Sequence, residues 1–312
     1  MSRCLPIAAV QAEPIPVDRA LDVFAASAEG VAADFPQAEL LIYPELYLCG
    51  LNGRAEERDA HMAEVAEPMD GPRIRRLRQI AGDLGRWLLP GSVYERSAEG
   101  DLYNTAVLLS PKGKVAASYR KIFPWRPYEV CHPGDRFVTV DIPERGRIGL
   151  SICYDTWFPE VARQLAWMGA EVILVPTLTP TSDRPQELVL TQANAIANQV
   201  YVVSVNGAAP YGTGRSLIVD PEGLVRHQAG EGATVISDVL DLDAVSRVRR
   251  FGTAGLNRLW QQFGDGDQAL ELPLYHGRID PSGWSPNRFD DRLGNADQTG
   301  LTLRKQDEAQ RR

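Results

Sequence analysis

Cysteine is scarce. The four thiols, Cys4, Cys49, Cys131 and Cys153, are spread over 312 residues and none forms a CxxC pair. That excludes a disulfide framework and fits a reducing, cytoplasmic compartment. Histidine is equally sparse: His61, His132, His227 and His276 show no spacing that suggests a metal site or a Cys-His pair. Positive charge is in deficit, with 33 Lys plus Arg against 41 Asp plus Glu and a net charge of −8. A broad nucleic-acid surface, which needs clustered cations for phosphate, is therefore not expected. No apolar run approaches the roughly 20 residues of a membrane helix, and the start of the chain lacks the stretch of a signal peptide. A soluble cytoplasmic protein without membrane or nucleic-acid partners is the expectation.

What is present is a core-forming composition. Hydrophobic residues make up 44% and charged residues 24%, which excludes wholesale disorder. At this length the chain is long for one domain and short for two, a size that large α/β folds reach as a single unit.

Strand-like and helix-like runs alternate along the chain. Residues 5–12 read as a strand. Val17 to Phe35 reads as a helix, with Leu21, Phe24, Ala28, Val31, Ala32 and Phe35 on one face. A short strand, 39–43, runs into Pro44-Glu45. A helix over 74–85 and a strand over 87–94 follow. Two strands, 102–110 and 114–121, meet at Ser110-Pro111-Lys112-Gly113 as a hairpin. An apolar strand ends at Cys153 and gives way to a helix over about 158–168, with Pro159 in its first turn and Gly169 just past its end. Another strand, 171–175, precedes a helix signalled by Ser182-Asp183 and Pro185. Four more strands, 200–206, 216–220, 224–228 and 234–240, complete the pattern, with a turn at Asp220-Pro221-Glu222-Gly223. Crossovers together with hairpins predict a mixed sheet covered by helices. From His276 the chain becomes rich in Asp, Arg, Asn, Gly and Pro, so residues 1–275 read as the domain and 276–312 as a polar tail or oligomerisation arm.

Cys153 sits where the strand Ile148 to Ile152 meets a helix start. There the helix dipole and free backbone N–H groups would favour the nucleophilic thiolate. The same residue also reads as a small buried hydrophobe. Ser151 is not a nucleophile elbow, because no glycine follows it at the required position. Glu45 and Lys121 each close an apolar strand; alone, each reads as a solvated edge charge, and together with Cys153 they could share one pocket. Gly212-Thr213-Gly214 lacks the rest of a phosphate loop and reads as a turn.

Taken in order, Pro44-Glu45, Tyr119-Arg120-Lys121 and Cys153-Tyr154-Asp155 with Pro159-Glu160 resemble the motifs of the carbon–nitrogen hydrolase (nitrilase) superfamily. The run Lys121-Ile122-Phe123-Pro124-Trp125-Arg126-Pro127-Tyr128-Glu129 with Pro133-Gly134 is similar to its aliphatic amidase and formamidase branch. The resemblance implies an α/β fold, a single-domain four-layer α-β-β-α sandwich. It also implies a Glu-Lys-Cys catalytic set: Glu45 as general base and acid, Lys121 as oxyanion stabiliser, Cys153 as nucleophile. Glu129, by itself a surface charge on a loop, becomes the second glutamate that orients the site.

The implied activity is hydrolysis of a small aliphatic amide to acid and ammonia through a Cys153 thioester, with neither metal nor organic cofactor. Hydrolysis of an N-carbamoyl compound or a nitrile, and a non-catalytic acyl-binding role, are the alternatives. Phe123 stands where N-carbamoyl hydrolases often carry histidine, which weighs against that activity. Trp125 is expected to line the pocket, with a packed core aromatic as the other reading. Tyr154 flanks the nucleophile. Thr177 and Leu178 lie in Pro176-Thr177-Leu178-Thr179-Pro180, a loop that faces the site in such folds. Short-chain amidases carry aromatic residues there, so a roomier pocket is expected. Arg126 and Arg184 are candidate carboxylate clamps. The family also implies a homodimer or larger homo-oligomer.

Overall fold

The computed structural model describes residues 2–50 and 58–262, together with Gln268. The described residues up to Gln262 fall in one compact unit. The expected boundary at 275 and the tail 276–312 lie outside the described residues.

Two mixed sheets build the centre. In the first, β13 (Thr234–Asp241), β1 (Cys4–Gln11), β2 (Leu40–Ile42), β3 (Trp87–Leu89), β5 (Leu102–Leu109) and β4 (Ser92–Arg96) run side by side, and β6 (Val115–Arg120) also pairs with β5. The second has the order β12 (Val225–Gln228), β11 (Leu217–Val219), β10 (Tyr201–Asn206), β9 (Val172–Thr177), β8 (Gly146–Leu150) and β7 (Val138–Ile142).

Side-chain alternation shows why the sheets are layered. In β1, Leu5, Ile7 and Ala9 enter the core between the sheets, while Ala8 and Val10 pack under α1 (Ala20–Asp34) and α3 (Pro72–Leu84). In β9, Val172 and Leu174 face the inter-sheet core, and Ile173 and Val175 face α4 (Pro159–Trp167) and α5 (Arg184–Asn198). A strand buried on both faces reads as a continuous apolar run, which is what residues 5–10 and 172–175 are. The result is the expected four-layer α-β-β-α sandwich.

The elements depart from the sequence reading at three boundaries and in three further elements. The strand expected over 87–94 is two strands, because Pro90 lacks an N–H and Gly91 turns the chain at φ 88°. A side chain there could not be accommodated: a Cβ on Gly91 would stand 1.7 Å from the Pro44 carbonyl oxygen, beside Glu45. The helix expected from Val17 begins as a 3-10 turn, Val17–Arg19. Between β8 and α4 lies a separate 3-10 helix, Cys153–Trp157. Three elements were not read from the sequence: α2 (Arg58–Val65), which is weakly amphipathic, and β7 and α6 (Leu242–Phe251), although β7 alternates Val138, Val140 and Ile142 with polar residues and α6 buries Leu242, Val245 and Val248 on one face. None of the helices among the described residues is long and apolar enough to cross a membrane.

Parallel pairing brings the carboxyl ends of β1, β2 and β3 together in one sheet, and those of β8, β9 and β10 in the other. Chain segments leaving those ends carry Glu45, Cys153 and the 177–179 loop. Carboxyl ends of parallel strands are where α/β sheets assemble ligand sites.

Candidate active site

Glu45 follows β2 and Lys121 follows β6, two strands of the same sheet. Both side chains are buried, Glu45 at 2% and Lys121 at 1% exposure. Lys121 Nζ donates to Glu45 Oε1 at 3.0 Å and to Glu129 Oε2 at 2.7 Å. An ammonium has three protons, so one N–H remains beyond these two bonds. Asn104 Nδ2 donates to Glu45 Oε1 at 2.8 Å, and the Leu178 N–H to Glu45 Oε2 at 2.9 Å. Glu129 Oε2 also accepts the Trp125 N–H at 2.6 Å, which closes the segment after Lys121 onto the cluster.

The electrostatics follow from burial and from these neighbours. Burial pushes the Glu45 carboxyl up; Lys121 pulls it down and Glu129 pushes it up again. Burial works against the Lys121 charge, but Glu45 and Glu129 outweigh it and hold the ammonium well above the ordinary lysine range. The cluster is thus a cation between two carboxylates, one of them a base strengthened by desolvation.

Cys153 opens the five-residue 3-10 helix in the left-handed region, at φ 46°. Burial, then the charge of Glu45, pushes its thiol well above the usual cysteine value, with Lys121 opposing. This corrects the expectation that the site favours thiolate. The long helix α4 starts six residues later, so its dipole is not aimed at the sulfur, and the carboxylates nearby disfavour a second negative charge. Cys153 rests as a thiol beside a base.

Asp155 ties the turn that carries Cys153 to the lysine segment. It is fully buried and accepts from Tyr119 Oη at 2.7 Å, the Ile152 N–H at 3.0 Å and the Phe123 N–H at 2.9 Å. Burial pushes its carboxyl up to about 6, so it is ionised at neutral pH. Asp155→Asn replaces one acceptor oxygen by a donor that faces donors. We expect a loss of about 1–3 kcal/mol in chemical denaturation. We expect kcat to fall by about 10²-fold, because displacing Lys121 or Cys153 by an ångström has that cost. Steady-state assay beside a urea melt checks both.

The other sequence candidates fall as follows. Trp125 is half-buried and its ring lies 4.3 Å from that of Tyr128. Tyr154 is half-buried and meets Phe158 edge-on at 5.6 Å. Thr177 is fully buried; its hydroxyl donates to Val175 O and its carbonyl accepts the Glu45 N–H at 3.3 Å. Leu178 packs its side chain against the helix-side core and gives its N–H to Glu45. Arg184 is buried and bonded to Glu187 at 2.9 Å, which removes it as a clamp for a free carboxylate, while Arg126 is exposed.

Sequence reasoning missed Asn104, Thr179 and Glu187. For Asn104 a signal existed: a polar residue inside the apolar strand 102–109. Two surface clefts, of about 350 Å³ beside Arg78 and Lys112 and about 280 Å³ beside Arg226 and Asp238, share no residue with this cluster. Among the described residues, no group of three or more His, Cys, Asp or Glu side chains could hold a metal ion.

Comparison with known proteins places the fold in a family. Residues 6–250 match the family described as carbon-nitrogen hydrolase. An (R)-stereoselective amidase from a Pseudomonas species is 37% identical over 219 residues, 68% of this chain and 76% of that protein. The crystal structure of Saccharomyces cerevisiae Nit3, a member of the nitrilase superfamily, superposes with a TM-score of 0.72 at 26% identity, covering 80% of this chain and 94% of that one. A mutant amidase from Nesterenkonia sp. AN1 shows covalent addition of the acetamide moiety of fluoroacetamide at its active-site cysteine. It superposes with a TM-score of 0.65 at 27% identity, over 83% of this chain and 97% of that one. With the family match spanning most of its length and the sandwich of the nitrilase superfamily in its coordinates, this chain belongs to the carbon–nitrogen hydrolase family.

Proposed function

We propose that the chain is an amidase that hydrolyses a small aliphatic amide to a carboxylic acid and ammonia through a thioester on Cys153. The observation that carries this reading is the position of Lys121 Nζ, buried between Glu45 and Glu129, in electrostatic reach of the Cys153 sulfur and with an uncommitted N–H. Support also comes from the amidase names of its relatives and from the cysteine adduct of the Nesterenkonia enzyme.

The atoms balance over two half-reactions. Cys153 Sγ bonds to the amide carbon as its proton passes to Glu45, and the carbonyl electrons move onto oxygen. That oxyanion forms against the Lys121 ammonium and the Tyr154 N–H; one such donor is worth about 3–4 kcal/mol. The carbonyl reforms, the C–N bond breaks, and Glu45 returns the proton to the nitrogen, which leaves as ammonia. Glu45 then takes a proton from water while the oxygen attacks the thioester. Collapse breaks the C–S bond, and the proton goes back to sulfur. Glu129 holds Lys121 and the Trp125 segment in place throughout. Trp125, Tyr154 and the 177–178 loop shape the acyl pocket in this reading. Residues 1–275 act as the hydrolase domain, assembled as a homodimer or larger.

Glu45→Gln tests the scheme. Supplied at alkaline pH, where part of the thiol ionises without a base, with an aryl ester of the same acyl group, whose leaving group needs no proton, the variant should accumulate an acyl adduct on the Cys153 peptide, because deacylation has lost its base. Mass spectrometry of the protein's peptides locates the added mass. An adduct on another residue, or full-speed turnover with none, overturns the scheme.

A further inference from the structure

Thr179 stands next to the nucleophile and is locked at every polar atom. Its N–H donates to Asn206 Oδ1 at 2.8 Å, and its carbonyl accepts the N–H and the hydroxyl of Thr213 at 2.9 and 2.8 Å. Its hydroxyl donates to Glu187 Oε2 at 2.8 Å and lies 3.7 Å from Cys153 Sγ. Glu187 projects from α5, is 1% exposed, and is held by Arg184 Nη1 on that same oxygen at 2.9 Å.

A hydroxyl has a single proton. Between a buried carboxylate and a thiol, that proton goes to the carboxylate, because charge-assisted bonds are about twice as strong. Thr179 Oγ1 therefore presents only lone pairs to the sulfur. It can accept an S–H, and it has nothing to give a thiolate.

We propose that Thr179, oriented by Glu187, is a positioning residue that holds Cys153 as the thiol in the resting enzyme, so that ionisation waits for Glu45. The inference rests on the reading of Cys153 as nucleophile. Its purpose follows from the proton balance of the reaction. The amine can leave only with a proton, and that proton is the one the thiol brings. A resting thiolate beside an ionised Glu45 would start the cycle without it. The Glu187 charge acts in the same direction on the thiol as burial and Glu45 do.

Alkylation of Cys153 by iodoacetamide, followed against pH by mass spectrometry on the intact protein's Cys153 peptide, tests this without any amide substrate. Thr179→Val removes the acceptor. Its alkylation profile should move down by about one pH unit, making alkylation on the acid limb about 10-fold faster. Thr179→Ser keeps the hydroxyl and should superimpose on the wild type. A valine profile that stays in place or moves up overturns the proposal, and so does a serine profile displaced as far as the valine one. Thr179→Ala removes the same hydroxyl and repeats the measurement where valine does not fold. An enzyme that shows the shift but cleaves no amide loses the amidase reading and keeps this one.

Discussion

Replacing Lys121 with methionine is expected to lower kcat/KM by about 10³-fold and the unfolding free energy by about 3–5 kcal/mol. The two losses share one cause. Lys121 is the cation between Glu45 and Glu129; Lys121 and Glu45 are shielded from water and Glu129 is half-buried. Methionine fills a similar volume but leaves two carboxylates facing each other without the charge that made their burial tolerable. On the proposed mechanism, the catalytic loss comes from the missing oxyanion donor and from the base itself. Without Lys121, Glu45 is pushed still higher by burial and by Glu129, so less of it is ionised at neutral pH.

The sign of the pH dependence is fixed by the same argument. In the variant the Glu45 carboxyl, already pushed up by burial, loses the Lys121 charge that pulls it down, so its folded-state pKa lies further above its unfolded one. Its destabilisation is therefore present in full above the folded value and is relieved as pH falls through it. Urea melts of wild type and variant should converge toward acid pH and diverge toward alkaline pH. A stability deficit that is independent of pH would mean that Lys121 is not the counter-ion of this cluster.

The site was legible through motifs rather than through strand ends: alone, Glu45 and Lys121 read as edge charges, and the ordered resemblance to the carbon–nitrogen hydrolases joined them to Cys153. Strands buried on both faces, such as β1 and β9, were the most legible elements because packing leaves them little freedom, whereas β6, which leads to Lys121, fully buries only Tyr119. The helices α1, α3, α4 and α5 were legible for a related reason: each has one apolar face and a proline or a change in pattern at an end. The rest depends on contacts between residues far apart in the chain. Asn104 and Glu45 are separated by 59 residues, and the Leu178 amide reaches Glu45 across 133. No local pattern encodes such pairs. Glu129 illustrates the limit: on its own loop it reads as a surface charge, and contacts such as those with the Lys121 ammonium and the Trp125 N–H turn it inward. The protonation state of Cys153 was misread because a helix start implies a dipole, whereas the actual start is a short 3-10 turn surrounded by carboxylates. Charge environment, unlike periodicity, is a property of the assembled site.

Cys153→Ala should lower kcat on the order of 10⁶-fold, the loss seen when a covalent nucleophile is removed, while leaving stability close to wild type. Cys153→Gly should be equally inactive and more stable than the wild type by about 1 kcal/mol. The reason is the backbone. At φ 46° an L-residue with a Cβ is strained, and glycine is not. Alanine keeps that strain and loses only a sulfur, whereas glycine removes it, offset in part by the greater entropy of its unfolded chain. Cys153 is thus held in a conformation that costs stability. The geometry shows what that achieves: the turn lets Ile152 N–H reach Asp155 and sets the sulfur opposite Thr179 and within reach of the Glu45–Lys121 pair. Thermal melts of the three proteins, run beside an ammonia-release assay, separate the two effects. Residual turnover in alanine above the uncatalysed rate by more than binding can explain would remove Cys153 from the chemistry. A glycine variant less stable than alanine would mean that the left-handed turn carries no strain, and that the site's conformation is dictated by the loop rather than imposed on it.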